Sequence, residues 1–427
     1  MAKLAALNLD GTLDRGVAVT LEISAEGHPF HTRIPGHLPP SPELLYTLNQ
    51  WQETYLRLGG DFRIKIKSVE SGAIQRQKCD RMSDALREQF ITWLRADSLR
   101  ALNEQILEEL RREEPVRVLI RTQDPLLRRL PWHEWDLFGR YPLAEYALSS
   151  PNAKRIQKIE STKSKKAVKV LAILGNDDGI DTQTDRQLLN SLGNVEFLVK
   201  PNRQTINDQL WSQPWDILFF AGHSETEGNT GRIYINSTDY LTIEQLKYGL
   251  QQAIANGLQL AIFNSCDGLG LATALEHLHI PQLIIMREPV PDRVAQTFLR
   301  YFLTAYAGGK SLYLAEREAR EKLHGMEDEF PCASWLPVIV QNSAEVPPTW
   351  QSLRRGGRIA GDVWRKRSQV PRGMTIGGVL QTSALITLLV MGVRTLGWLE
   401  SVELLAYDYT MRSRPATDDL VDPNILV

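Results

Sequence analysis

Two residues of this chain have the types and the placement needed for nucleophilic chemistry: His223 and Cys266. His223 follows the apolar run Ile217 to Phe220 after an Ala-Gly step, and Cys266 follows the run Leu258 to Asn264 and a serine. Each therefore sits at the carboxyl end of an apolar strand, the edge of an open parallel sheet where active sites form. Taken singly, each reads as well as a core residue. Taken together, 43 positions apart with room for one helix and a short hairpin between them, they are expected on neighbouring strands. Their strand ends then lie one strand spacing apart, ~5 Å, close enough for an imidazole to serve a thiol. A thiolate attacks a carbonyl far better than a thiol does, and a nearby imidazole can lower the cysteine pKa or protonate the leaving amine. The glycines of AGHS and SCDGLG let backbone approach a substrate, and the N–H of Gly222 or of Cys266 is a candidate oxyanion donor.

Other chemistries have little support. The three cysteines, Cys79, Cys266 and Cys332, are odd in number and far apart, which excludes a disulfide scaffold and favours a reducing compartment; Cys79 and Cys332 receive no role. His277 and His279 have no cysteine or carboxylate at ligand spacing, so they read as a helix end and not as a metal site. No GxxxxGK[ST] or GxGxxG follows a strand, no calcium loop is recognisable, and no cofactor is expected. The early LNLDGTL resembles the phosphatase loop of haloacid-dehalogenase enzymes, but Asn8 stands at the nucleophile position and an amide cannot form an aspartyl phosphate; Asp10 and Gly11 are read as a turn.

The elements that must position the pair are legible around them. VKVLAIL, a helix near 184–192, VEFLVK, ILFFAGHS, a possible hairpin at 231–237, a helix near 242–256, LQLAIFNSC, a helix near 270–278 and QLIIMR alternate regularly. Apolar runs alternating with helices predict a mostly parallel sheet covered on both faces, an α/β fold. Upstream, strand-like runs at 17–23, 62–66 and 116–122 with a long helical pattern at 83–112 predict an α+β module over residues 1–148. The basic stretch 149–167 reads as a linker or exposed loop, and as a candidate self-processing site for a protease; the domain carrying the pair spans 168–345. With 427 residues and 49 Lys+Arg against 51 Asp+Glu, the chain has room for two to three domains and no charge excess that would mark a dedicated nucleic-acid binder.

Residues 373–393, GMTIGGVLQTSALITLLVMGV, are 21 consecutive residues without a formal charge, enough for a helix of roughly 30 Å and one bilayer core. The preceding segment 346–372 is basic and the following segment is acidic, which places residues 1–372 in the cytoplasm and 394–427 outside. Leu426 and Val427 end a strand-like run with no partner strand after it, so a longer protein is expected.

Residues 168–342 resemble the CHAT domain, a caspase-like peptidase domain of the clan that also holds caspases and separase. The features that carry the resemblance are VKVLAIL, FFAGHSE, NSCDGLGLA, MREPVPDRVAQTFLRYFL, SLYLAEREAREKL and ASWLPVIVQN, in this order. The spacing of the pair is also close to the ~50 residues between histidine and cysteine in caspases. Upstream, LRRLPWHEWDLF (Leu127 to Phe138) resembles the Leu-Pro-Trp-Glu segment of such domains and extends the likeness over most of residues 1–342. The resemblance implies a caspase-hemoglobinase fold with His223 as general base or acid and Cys266 as nucleophile, a cysteine endopeptidase acting on protein or peptide, with regulatory protein partners. Metacaspases carry an aspartate two residues before the cysteine, where this chain has Asn264; the candidates for an acidic substrate pocket are then Asp177, Asp178, Asp267 and Asp292. ELLAYDYTMRSRP followed by DPNILV is similar to the opening of extracellular CHASE-type-2 sensor domains of bacterial membrane receptors, in accord with the topology drawn from charge. The combined expectation is a single-pass protein of the bacterial cytoplasmic membrane, its protease domain controlled by an outside sensor. The alternative is a catalytically inactive caspase-like scaffold that recruits partners to the membrane.

Overall fold

Short aliphatic runs in this chain are buried from end to end, and that requires cover on both faces of the sheet they form. The computed structural model describes residues 2–58, 73–154, 156, 167–227, 230–265 and 268–354. The span 373–393, the flanking segment from 355 and the tail 394–427 lie outside the described residues, as do the strand-like run 62–66, most of the basic stretch 149–167, Cys266 and Asp267. Among the described residues no helix is long and apolar enough to cross a membrane.

The chain opens with β1 (Lys3–Thr12), β2 (Gly16–Ala25) and β3 (Thr32–Leu38), then α1 (Pro42–Leu56), α2 (Ala73–Leu94), α3 (Arg100–Glu109), β4 (Val116–Arg121), α4 (Pro125–Arg129), α5 (Asp136–Arg140) and β5 (Ala144–Ser149). It continues through β6 (Val170–Leu174), α6 (Thr182–Asn190), β7 (Val195–Val199), α7 (Arg203–Ser212), β8 (Ile217–Ala221), β9 (Ser224–Glu227), β10 (Thr230–Tyr234), β11 (Tyr240–Thr242), α8 (Ile243–Ala255) and β12 (Leu260–Asn264). The last elements are α9 (Gly268–Glu276), β13 (Gln282–Met286), α10 (Asp292–Ala307), α11 (Leu312–Leu323), β14 (Pro337–Gln341) and α12 (Trp350–Arg354).

Eleven strands form one sheet in the order β3-β2-β1-β4-β5-β14-β13-β12-β8-β6-β7, and β9, β10 and β11 form a small antiparallel sheet. Strands β7, β6, β8, β12 and β13 run parallel, as do β1, β4, β5 and β14. The two blocks meet antiparallel at β13 and β14. Their carboxyl edges consequently lie on opposite sides of the sheet. The runs VLAIL, ILFFA and LAIFN are buried at every position, as the sandwiching helices demand. Helix α10 shows how a cover helix is built: Val294, Ala295, Phe298, Leu299, Phe302, Leu303 and Tyr306 recur every three or four positions and are buried. It packs on α6 and α11, while α7, α8 and α9 form a second row. The right-handed crossovers of the parallel strands put these rows on opposite faces.

Two expectations are corrected. Asp10 and Gly11 belong to β1; the turn falls at residues 13–15, and Gly11, with φ +128, lies so close to its partner strand that a Cβ would meet the Gly16 carbonyl oxygen at 2.3 Å. The helical pattern at 83–112 is two helices, broken by a short turn at Asp97–Leu99 where the Ser98 hydroxyl donates to the His37 carbonyl of β3. His277 and His279 do lie just past a helix end, that of α9.

Candidate active site

The ladder between β8 and β12 ends on the pair Ala221 and Asn264. His223 stands two positions beyond Ala221, and Cys266 two positions beyond Asn264 in the chain. Both expected dyad members thus share one offset from one pair of adjacent parallel strands, whose axes are ~4.8 Å apart.

His223 is held from two directions. Its main-chain carbonyl accepts a hydrogen bond of 2.9 Å from the Tyr234 N–H of β10, and its ring Nε2 lies 2.8 Å from the main-chain carbonyl oxygen of Asp178. A carbonyl can only accept, so Nε2 carries the proton and Nδ1 is the ring's basic nitrogen. The loop that supplies Asp178 is drawn in by Gly175 N–H donating to Ala221 and Asn176 N–H donating to Tyr234. This closeness requires glycine: a Cβ on Gly175 would meet the Tyr234 carbonyl oxygen at 2.3 Å. Gly222 bends the chain after β8 against the same loop, with a φ of +154.

The cysteine side is fixed on both flanks of the two undescribed residues. Ser265 is fully buried, and its hydroxyl accepts a 2.9 Å hydrogen bond from Ser224, the residue after His223. Gly268 opens α9 so close to β13 that a Cβ would meet the Met286 carbonyl oxygen at 2.5 Å and Ile285 at 2.6 Å. Cys266, its N–H as an oxyanion donor, and Asp267 lie outside the described residues.

The remaining acidic candidates lie in the same region in different roles. Asp177 forms an ion pair with Lys200 at 2.8 Å. Asp178 offers its carbonyl to His223, while its carboxylate accepts from the Asn176 amide at 3.4 Å. Asp292 begins α10, where its carboxylate accepts from the Asp181 N–H at 3.0 Å and from Gln296 at 2.9 Å, tying the entry of α6 to α10. Asn264, at the position of the metacaspase aspartate, donates at 3.0 Å to the fully buried Asp185 of α6. Asp185 is 79 positions away in sequence, and nothing in the sequence pairs the two.

Beyond β13, on the same edge, Arg287 and Glu288 are buried charges that sequence reasoning missed, although charged residues directly after an apolar strand were a visible sign. Arg287 donates to the carbonyls of Arg129 and Leu130 at 2.9 and 3.0 Å and to the Tyr146 hydroxyl at 2.9 Å, which anchors the LRRLPWHEWDLF segment beneath the edge. Glu288 accepts from Gln52 of α1 at 3.1 Å. Among the described residues no group of histidine, cysteine and carboxylate side chains is arranged to hold a metal ion.

The sequence profile of the CHAT domain matches residues 96–350, more than half of the chain. The chain belongs to the CHAT-domain family. The match runs from just before α3 through the start of α12, so the CHAT domain contains β4 to β14, while β1, β2 and β3 complete its sheet from outside the matched range. No curated protein matches the chain. Among solved structures, the chain is similar to two crystal structures of the Saccharomyces cerevisiae separase–securin complex. One gives a TM-score of 0.51 at 10% identity and the other 0.50 at 9%, each covering 80% of this chain. This chain spans only 30% of the length of the chain it matches. At such identities the likeness is one of fold: the CHAT domain shares a large, mostly parallel, helix-flanked sheet with the separase chain.

Proposed function

We propose that this CHAT domain is a cysteine endopeptidase, with Cys266 as nucleophile and His223 as its general base and acid. The observation that carries the reading is the shared offset of both residues from the last ladder pair of β8 and β12. With Nε2–H engaged by Asp178, Nδ1 takes the thiol proton, and the thiolate attacks the substrate carbonyl carbon. A main-chain N–H around Gly222 or at Cys266 stabilises the oxyanion, and the imidazolium returns the proton to the leaving amine as the C–N bond breaks. Water then hydrolyses the thioester by the same proton route. Helix α9 begins two residues after Cys266, and the positive end of its dipole favours the thiolate. The acidic pocket candidates Asp177, Asp178, Asp267 and Asp292 are retained as part of this proposal, together with tethering through residues 373–393, a cytoplasmic catalytic domain and an outside sensor beginning at 394.

The test is cleavage of a broad peptide library by the full chain in detergent, compared with Cys266→Ala and His223→Ala. Cleavage that falls by about a thousandfold or more in both variants is the expected result. A silent wild type whose Cys266 reacts with an electrophile no faster than the buried Cys79 and Cys332 would leave the scaffold reading in place.

A further inference from the structure

We propose that Ser224 and Ser265 are positioning residues for the His223–Cys266 pair, and that their hydroxyl bridge holds the two strand ends at reacting distance. This rests on the protease reading above. The two serines flank the pair in the chain: Ser224 follows His223, and Ser265 precedes Cys266. Their Oγ atoms are 2.9 Å apart, and both residues are buried, at 1% and 0% exposure. A buried hydroxyl costs free energy unless it is bonded, so alanine would be the cheaper residue at either site if packing were all that mattered.

The place of the bridge gives it a use. Among the described residues, the last main-chain ladder pair of β8 and β12 is Ala221 and Asn264. Past that point the strands part company: the chain turns at Gly222 into β9, which pairs with β10, while β12 gives way to α9. The Ser224–Ser265 bond is a cross-strand tie placed beyond the Ala221–Asn264 ladder pair, between the residues next to His223 and Cys266 in the chain. The short serine side chains leave this tie little slack. A misplacement of about 1 Å between reacting groups can cost about a hundredfold in rate.

The experiment uses the full chain in detergent, with Ser224→Ala, Ser265→Ala and the double variant. Three quantities are measured: kcat and KM on a peptide that the wild type cleaves, the pH midpoint of Cys266 alkylation by iodoacetamide, and the melting temperature. Each single variant is expected to lower kcat by about ten- to a hundredfold with KM within about twofold. Each should also raise the alkylation midpoint, because the thiol loses its imidazole partner. The double variant should be no worse than either single, since both remove the same bond. A purely structural role would lower the melting temperature and leave the alkylation midpoint of the folded protein where it was. Unchanged kcat and midpoint, or losses that multiply in the double variant, would overturn the proposal while leaving the dyad intact. A wild type with neither cleavage nor selective alkylation overturns the dyad, and the proposal with it. Because the bond has ends on two different segments, either single variant that folds is sufficient to decide.

Discussion

His133 is an imidazole buried beside Trp335, with ring centroids 5.5 Å apart; burial, aided by the nearby Arg320 and Arg287 and opposed by the Glu134 carboxylate 3.3 Å away, holds its pKa down to about 3 against an ordinary 6.5. Between these two values the unfolded chain binds a proton that the folded chain refuses. Stability supported by the neutral ring is therefore complete above about 6.5 and declines as pH falls towards 3, with a slope of about 1.4 kcal/mol per pH unit. His133→Phe keeps an aromatic ring and removes the proton site, so denaturant unfolding at pH 7 and pH 5 should show a flatter dependence than the wild type; equal slopes would contradict the argument. A second residue-level expectation concerns Asp292, whose carboxylate accepts two hydrogen bonds at the start of α10. Asp292→Ala should lower stability by about 1 kcal/mol, read from the urea midpoint. The ends of β8 and β12, beyond which His223 and Cys266 follow in the chain, were legible in the sequence because each closes an apolar run. Asp178 was read as a carboxylate, and its contact with His223 is made by a main-chain carbonyl, which leaves no mark on residue type. The Ser224–Ser265 bridge and the Asn264–Asp185 contact were illegible for a related reason: each needs a partner 41 or 79 positions away that only the fold brings near.

Elements were most legible where burial is uniform and least where tertiary contacts override local pattern. Strands β6, β8, β12 and β13 declared themselves as short aliphatic runs between helices. The break between α2 and α3 did not, because the helical periodicity continues while the chain is redirected by contacts with β3 and the residues after it: the Trp93 indole N–H donates to the Pro39 carbonyl, and Leu99 fits against Gly36, where a Cβ would sit 2.9 Å from it. Helix α9 carries a further expectation. Gly268→Ala would put a methyl group 2.5 Å from a β13 carbonyl oxygen, a backbone contact that no rotamer relieves. The helix start or the strand must move, at a cost of roughly 1–3 kcal/mol. Since α9 begins two residues after Cys266, peptide cleavage should fall more than stability alone explains; a variant with wild-type kcat and melting temperature would show that the edge tolerates the shift.

At the scale of the molecule, the strands before residue 150 and those after residue 168 form one sheet, joined where β14 lies between β5 and β13. The α/β character of the later part was legible from its alternation, but the union was not, since β14 adds to β5 from almost two hundred positions away. The seam is sealed by buried charge: Arg320 of α11 meets Glu145 of β5 at 2.7 Å, with the two side chains 6% and 0% exposed. Glu145→Leu would leave the buried Arg320 guanidinium with only the Glu316 carboxylate, 3.7 Å away, and should cost about 3 kcal/mol, whereas replacing Glu145 and Arg320 together by Leu and Met should cost less; a double-mutant cycle in denaturant measures the difference. The antiparallel seam also imposes an order on synthesis. The edge of β5 is finished when residue 149 is made, and the strand that covers it, Pro337–Gln341, comes last in the sheet. At about 5–20 residues per second, roughly ten to forty seconds separate the two events on the ribosome. Through that interval β5 presents unpaired main-chain donors and acceptors to any neighbouring chain, and β13, once made, does the same on its outer edge. A chain stopped short of Pro337 would keep both edges open, so the nascent protein is most exposed to misassociation just before its sheet closes.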